Sequence, residues 1–218
     1  MSLYRVLTLL TALWLAQAAG LVSAETPEQP ERPRWSIEVK GGLFYPDEDD
    51  WSEFYGDDYT GYVGGAVAYK LLRQLELGVE GGYSWDSGEG ALPQNQQTGG
   101  DVDIRLVPLN VFVLGRFVFK EDQLLVPYLG GGWTRMFYRQ EVSGQDNIDG
   151  HEDGWHARGG LQLLLNRFEP GYARRSGDQY GLNNTYLFLE YMKLKVEDGS
   201  TDAELGGDVY TLGVLLEF

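Results

Sequence analysis

From residue 35 onward the chain alternates. Trp35, Ile37, Val39, Gly41, Leu43 and Tyr45 are apolar, small or aromatic, and Ser36, Glu38, Lys40, Gly42 and Phe44 fall between them. A period of two over this length predicts a strand with one apolar face. The pattern recurs with Tyr59, Gly61, Val63, Gly65, Val67 and Tyr69, and more clearly with Leu75, Leu77, Val79, Gly81, Tyr83 and Trp85 against Gln74, Glu76, Gly78, Glu80, Gly82 and Ser84. A sixth segment sets Trp155, Ala157, Gly159, Leu161 and Leu163 against His156, Arg158, Gly160 and Gln162. Less regular alternation covers about 101–118, 124–139 and 182–195, and a last segment runs from 208 to Phe218. Pro108 blurs the phase of the fourth segment and predicts a bulge there. Arg105 and Arg116 have opposite parity, so without that bulge they cannot share a face.

The eight predicted strands are joined by connections of alternating length. Long polar stretches lie at 46–58, 86–100, 140–152 and 196–207, and short turns at 71–73 and 120–122. The stretch 166–181, with Arg167, Arg174 and Arg175, is long where parity predicts a short turn. Long loops on one side and short turns on the other are the habit of membrane barrels.

The first 24 residues differ from everything after them. Arg5 closes a short positive start, Val6 to Ala19 is apolar, and Val22-Ser23-Ala24 is a small-residue cleavage site, the layout of a secretory signal peptide. Residues 25–34, acidic and Pro-rich, read as a linker, and 35–218 as one domain. The net charge is −16, becoming −17 once the leader and its one Arg are removed. That excess of acid argues against a nucleic-acid partner, which needs a basic face. With no cysteine in the chain, a thiol nucleophile and a thiolate metal site are excluded. No later apolar run approaches the length of a spanning helix, so the exported chain is either soluble or a closed barrel. The many Gly, Tyr and Trp residues suit curved, aromatic-rich sheet.

The last strand sharpens this. In YTLGVLLEF, Thr211, Gly213, Leu216 and Phe218 fall in the register of the C-terminal pattern that this segment resembles, the signal read by the outer-membrane assembly machinery. With the leader and the eight alternating segments, the chain resembles the small outer-membrane barrels of the OmpA, OmpX and OmpW type. The stretch GLNNTYLFLEY, Gly181 to Tyr191, and the Arg-containing segment before it also resemble an uncharacterised barrel family of myxobacteria-like Gram-negatives. The resemblance implies an all-β fold, an eight-stranded antiparallel transmembrane up-and-down barrel after a cleaved signal peptide. It also implies an outer-membrane location with the lipid and the assembly machinery as partners, and no defined activity.

If the apolar faces meet lipid, Glu38, Lys40, Glu76, Glu80, Arg158, Glu190 and Glu217 point into the lumen, with His156 beside them. A charge on the lipid face costs about 2–4 kcal/mol at mid-membrane, and eight strands enclose a lumen that side chains just fill. A paired, plugged interior with a structural or surface role is the first expectation. A narrow pore for small solutes, or for the small apolar molecules that resemblance to OmpW-type barrels allows, is the second. A soluble ligand-binding barrel of opposite polarity is the third. No cofactor or metal motif is present, and no nucleophile adjoins His156 in sequence, although Ser84 or Ser143 are candidates in space. Nothing therefore calls for an enzyme. The acids Asp47, Glu48, Asp49, Asp50, Glu53, Asp57 and Asp58 are dense enough to attract divalent cations, but Ser52 stands where a calcium loop of the EF-hand kind needs glycine.

Overall fold

The computed structural model describes residues 33–48, 51–89, 101–120, 122–142, 147–168, 171, 181–196 and 205–218. The proposed leader, and the linker up to residue 32, lie outside them. Eight strands follow one another in chain order: β1 (Trp35–Pro46), β2 (Thr60–Leu72), β3 (Leu75–Glu89), β4 (Asp101–Arg116), β5 (Leu125–Val142), β6 (Ile148–Leu164), β7 (Asn184–Val196) and β8 (Gly207–Glu217). Each is antiparallel to the next, and β1 pairs with β8 from Ser36↔Glu217 to Pro46↔Gly207, which closes the barrel. Closure leaves no sheet edge along the wall. Arg34 already belongs to the ladder, since its N–H donates to the Phe218 carbonyl and its carbonyl accepts from Lys70 N–H.

The alternation read from sequence becomes an inside and an outside. Val39, Leu129 and Leu189 are each more than 60% exposed on the outer wall, while Glu38, Glu80 and Arg158, one residue away in phase, are buried in the lumen. Apolar outside and charged inside is stable only where lipid surrounds the barrel, the reverse of a soluble ligand-binding barrel. Aromatics mark both margins of the apolar band. Trp35 meets Tyr69 edge-on at 5.0 Å near one end, and Tyr191, Tyr210 and Tyr45 form a chain of rings 5.2 and 5.8 Å apart near the other. Trp35 and Tyr45 are ten residues apart on β1, which at the strand rise and a tilt of about 40° gives a band roughly 25 Å tall.

Several expectations are corrected. There is no bulge at Pro108: β4 keeps one register with β5 from Val102↔Val142 to Arg116↔Tyr128. On the β3 side the pairing skips Gly82 and Tyr83, opposite Pro108 and Val107. Proline has no N–H to give, and the ladder absorbs this as a gap instead of a shift. Phase is kept, so Arg116 points inward and Arg105 outward. The register shift lies between Lys70 and Leu72, at the β2–β3 turn. The loop expected at 140–152 is mostly strand, because β5 and β6 stay paired out to Gln140↔Ile148. The ring of Tyr138 lies over Gly150, where a Cβ would collide with it. The acidic loop after β1 folds in part into a short helix, α1 (Trp51–Tyr55), and the connection after β6 begins with a 3₁₀ turn at Leu165–Arg167.

The run Gly130-Gly131-Gly132 lets β5 approach its neighbours closely: a Cβ on Gly132 would strike the Val111 carbonyl oxygen of β4. Gly61, by contrast, has only the outer ring of Trp85 near it, at 3.8 Å. Gly132→Val is therefore expected to cost about 1–3 kcal/mol, as overpacking does, and Gly61→Val almost nothing. Urea unfolding in detergent micelles, followed by tryptophan fluorescence, measures both.

Candidate functional site in the barrel lumen

All eight strands send side chains into the middle of the lumen. Two cations stand there, Lys40 from β1 and Arg158 from β6. Lys40 Nζ donates to Glu80 Oε2 at 2.6 Å and to Glu190 Oε1 at 2.7 Å. Arg158 spreads three contacts over three strands: Nε to Glu190 Oε2 at 2.6 Å, Nη1 to Glu80 Oε2 at 2.8 Å, and Nη2 to Glu38 Oε2 at 3.0 Å. Its plane lies over the Phe112 ring, 4.5 Å from the centroid. The hydroxyls of Tyr128 and Tyr62 donate to Glu190 and Glu80 at 2.9 and 3.2 Å. A planar fork suits this role better than an ammonium, since it can serve several carboxylates in fixed directions. Three buried carboxylates face two buried cations, so every partner is needed to offset the desolvation of the others.

A second network lies nearer the end with the short connections. Arg116 Nη1 donates to Glu76 Oε1 at 2.9 Å and also to Glu217, and Nη2 donates to Gln162 Oε1 at 2.7 Å. Lys70 Nζ reaches Glu217 Oε1 at 2.5 Å, and Asn184 donates to Glu217 Oε2 at 2.8 Å. Two carboxylates balance two cations here. At the same end Val118, Val126, Leu164, Tyr186, Phe188 and Leu215 form an apolar cluster.

Toward the long loops the lumen changes character. His156 Nδ1 lies 2.8 Å from Thr134 Oγ1, and that hydroxyl donates to Asn110 Oδ1 at 2.8 Å. The Thr proton being used, the imidazole donates from Nδ1, and its buried Nε2 has no partner among the described residues. Above this lies a second apolar cluster, in which Phe44, Leu106, Met136, Met192 and Leu194 pack with Trp51 of α1. The loop helix thus presses an indole into the mouth of the barrel. Tyr55, one turn on, lies tilted against that indole with ring centroids 4.4 Å apart, and burial pushes its phenol up to about 12.

All seven charges singled out by parity, Glu38, Lys40, Glu76, Glu80, Arg158, Glu190 and Glu217, are buried inside, divided between the two networks. Arg116 and Lys70 were missed. Lys70 shares the parity of Tyr62 and Ala66, and that was the signal available for it. Arg116 needed the phase across Pro108. In β8, Thr211 is buried facing inward, Gly213 is filled over by the Phe188 ring, and Phe218 closes the ladder onto Trp35. Among the described residues the hydroxyl against His156 is that of Thr134. Ser84 donates to the Gly61 carbonyl at 2.5 Å, and Ser143 lies outside the described residues. Of the loop acids, Asp47 accepts from Lys193 at 2.7 Å. Among the described residues no three His, Asp or Glu side chains gather as a metal site would need.

Arg158→Met should be among the most damaging single changes. It leaves three buried carboxylates with one cation, and breaking such a set costs about 3–5 kcal/mol. Lys40→Met combined with Glu190→Gln removes one charge of each sign and should lose less than the two single changes summed, a coupling of about 0.5–3 kcal/mol. Urea unfolding in micelles provides the cycle.

The sequence from residue 14 to residue 218 matches the family model described as an outer membrane protein β-barrel domain. None of the curated proteins matches the chain. Among solved structures, the outer membrane protein OprG of Pseudomonas aeruginosa superposes with a TM-score of 0.59 at 11% identity, over 86% of this chain and 97% of that one. The N-terminal β-barrel domain of OprF from the same organism gives 0.51 at 14% identity, over 86% and 98%. Neisserial surface protein A gives 0.51 at 13%, over 84% and 97%. At such identities the likeness is one of fold.

Proposed function

We propose that this chain, which belongs to the outer membrane β-barrel domain family, serves as a closed scaffold in the outer membrane, holding its long-loop face at the cell surface without an open channel. One observation carries this reading: the five-residue ion-pair network of Glu38, Lys40, Glu80, Arg158 and Glu190 crosses the lumen from β1 to β3, β6 and β7. A water-filled pore would leave such side chains hydrated and apart. Here each is bonded to a partner on another strand. The reading needs no catalytic step and no bound cofactor.

A second reading has one specific observation in its favour. The lumen near the long loops is apolar, closed over by Trp51, and suits the entry of a small apolar molecule that leaves sideways through the wall before it reaches the charges. It differs from the first in what moves. A scaffold keeps α1 in place, and a transporter must lift it.

Planar-bilayer recording with the refolded protein separates a plug from a pore. The expected result is no discrete conductance from the native chain and steps in Arg158→Ala, where the network loses its centre. Regular openings of the native protein would overturn the scaffold. Uptake of a small alkane into proteoliposomes, abolished by tethering α1 to the barrel, would instead favour the second reading.

A further inference from the structure

Asp47 and α1 together hook over the rim of the barrel. Where β1 ends, Asp47 keeps the outward parity of Tyr45, and its N–H donates to the Gly206 carbonyl at 2.9 Å. Its carboxylate accepts from Lys193 Nζ of β7 at 2.7 Å. The same ammonium donates to Asp208 Oδ2 at 3.3 Å, and the Tyr191 hydroxyl donates to Asp208 Oδ1 at 2.7 Å. Lys193 and Asp208 are direct cross-strand partners, so β7 and β8 jointly hold the ammonium against Asp47. All three charged side chains are partly exposed.

From that hook the chain turns inward. Trp51 N–H donates to the Glu48 carbonyl at 3.2 Å, which ties the first residue of α1 to the neighbour of Asp47. Trp51 is buried in the apolar cluster with Phe44, Leu106 and Met136. Tyr55 is the last residue of the helix, and its hydroxyl accepts from Gln140 Nε2 of β5 at 3.5 Å. β5 stands opposite β1 in the ring of eight strands. Gly56 then leaves the helix at a φ of +90°, a conformation that glycine adopts without a steric cost. The strap is thus fastened on two sides of the mouth, with the indole between them.

The fastenings differ in kind. A helix of five residues has little stability of its own, so its position is set by what holds it. Burial of the indole is a hydrophobic contact, which added salt does not weaken. The Lys193 contacts are ion pairs open to water, and salt screens such pairs.

We propose that Lys193 is the clasp of this strap: its ion pairs with Asp47 and Asp208 keep α1 seated, and their loss releases Trp51 from the mouth. The indole fills the opening, and the clasp decides whether it stays there. Ionic strength at the cell surface is the signal to which the clasp answers. The device is separate from the plug around Arg158, which stays shut when the strap lifts.

The chain has no cysteine, so a single introduced thiol reports on one place. L106C lies in the cluster beneath Trp51. The barrel in lipid nanodiscs is treated with a charged, water-soluble methanethiosulfonate, and the rate of modification is the readout. L106C alone should react slowly. Adding K193M should raise the rate by roughly three- to ten-fold, the scale of one or two exposed ion pairs, and D47N should act in the same direction. Adding W51A sets the rate of an open mouth. K195M, at an exposed lysine two residues along β7, should leave the rate as it was. L164C, in the apolar cluster near the short connections, should stay slow with K193M, since release is confined to the mouth. Going from about 0.1 M to about 1 M salt shortens the screening length from about 10 Å to about 3 Å. That change should speed L106C where Lys193 is present and not in K193M, and it needs no altered clasp to fold. K193M and D47N leaving L106C slow while W51A exposes it would overturn the proposal. So would W51A leaving it slow, or L164C speeding up together with L106C in K193M.

Discussion

The guanidinium of Arg158 is the point on which the interior turns. It touches carboxylates from β1, β3 and β7 while itself hanging from β6, so one side chain ties together strands from all around the wall. Those contacts form only if the sheet has closed in the right register, because a one-residue slip would send Arg158 and its partners to the lipid. The network is thus a check on assembly as well as a filling. It also explains why the lumen holds tyrosines beside the acids. Tyr62 and Tyr128 occupy the volume that glycines at 64, 82 and 160 leave free; Tyr62 brings a hydroxyl to Glu80 Oε1, which the cations do not reach, and Tyr128 shares Glu190 Oε2 with Arg158.

Along its axis the lumen is layered. A balanced network and an apolar cluster sit near the short turns, the Arg158 network lies in the middle, and a second apolar cluster under α1 lies near the long loops. His156 stands where charge gives way to hydrocarbon. Its Nδ1 is engaged through Thr134 with Asn110, and Asn110 in turn donates to Glu80 at 3.3 Å. The imidazole therefore ends this chain of bonds, its buried Nε2 making none among the described residues. The same alternation that builds these layers also sets the outer wall, where apolar and aromatic groups such as Val39, Leu129, Leu189 and Trp133 are exposed.

Most of the architecture was legible in the sequence because period-two alternation fixes strands, faces and, through parity, the lumen charges. Glu76 and Glu80 could be placed without structure because Leu75, Leu77 and Val79 around them are unambiguous. What was not legible depended on pairing between distant segments. Arg116 required knowing that Pro108 leaves a gap on its β3 side while β5 keeps step. The extension of β5 and β6 past residue 139 is hidden in polar sequence, because above the lipid both faces of a hairpin can be polar. The helix Trp51–Tyr55 is a single turn in an acidic loop, held by the burial of Trp51 and invisible to any periodicity. The division of the charges into two networks could not be read at all, since it depends on the stagger of all eight strands.

The claim that the lumen is closed around Arg158 is tested most directly by the exchange of its side-chain Nε–H with solvent, observed by NMR on arginine-labelled protein in lipid nanodiscs. A bonded, dry guanidinium predicts a resolved Nε–H that exchanges orders of magnitude more slowly than those of Arg105 and Arg139. If Arg158 exchanged as fast as those two surface residues, water would reach the centre of the barrel and the plug would be contradicted.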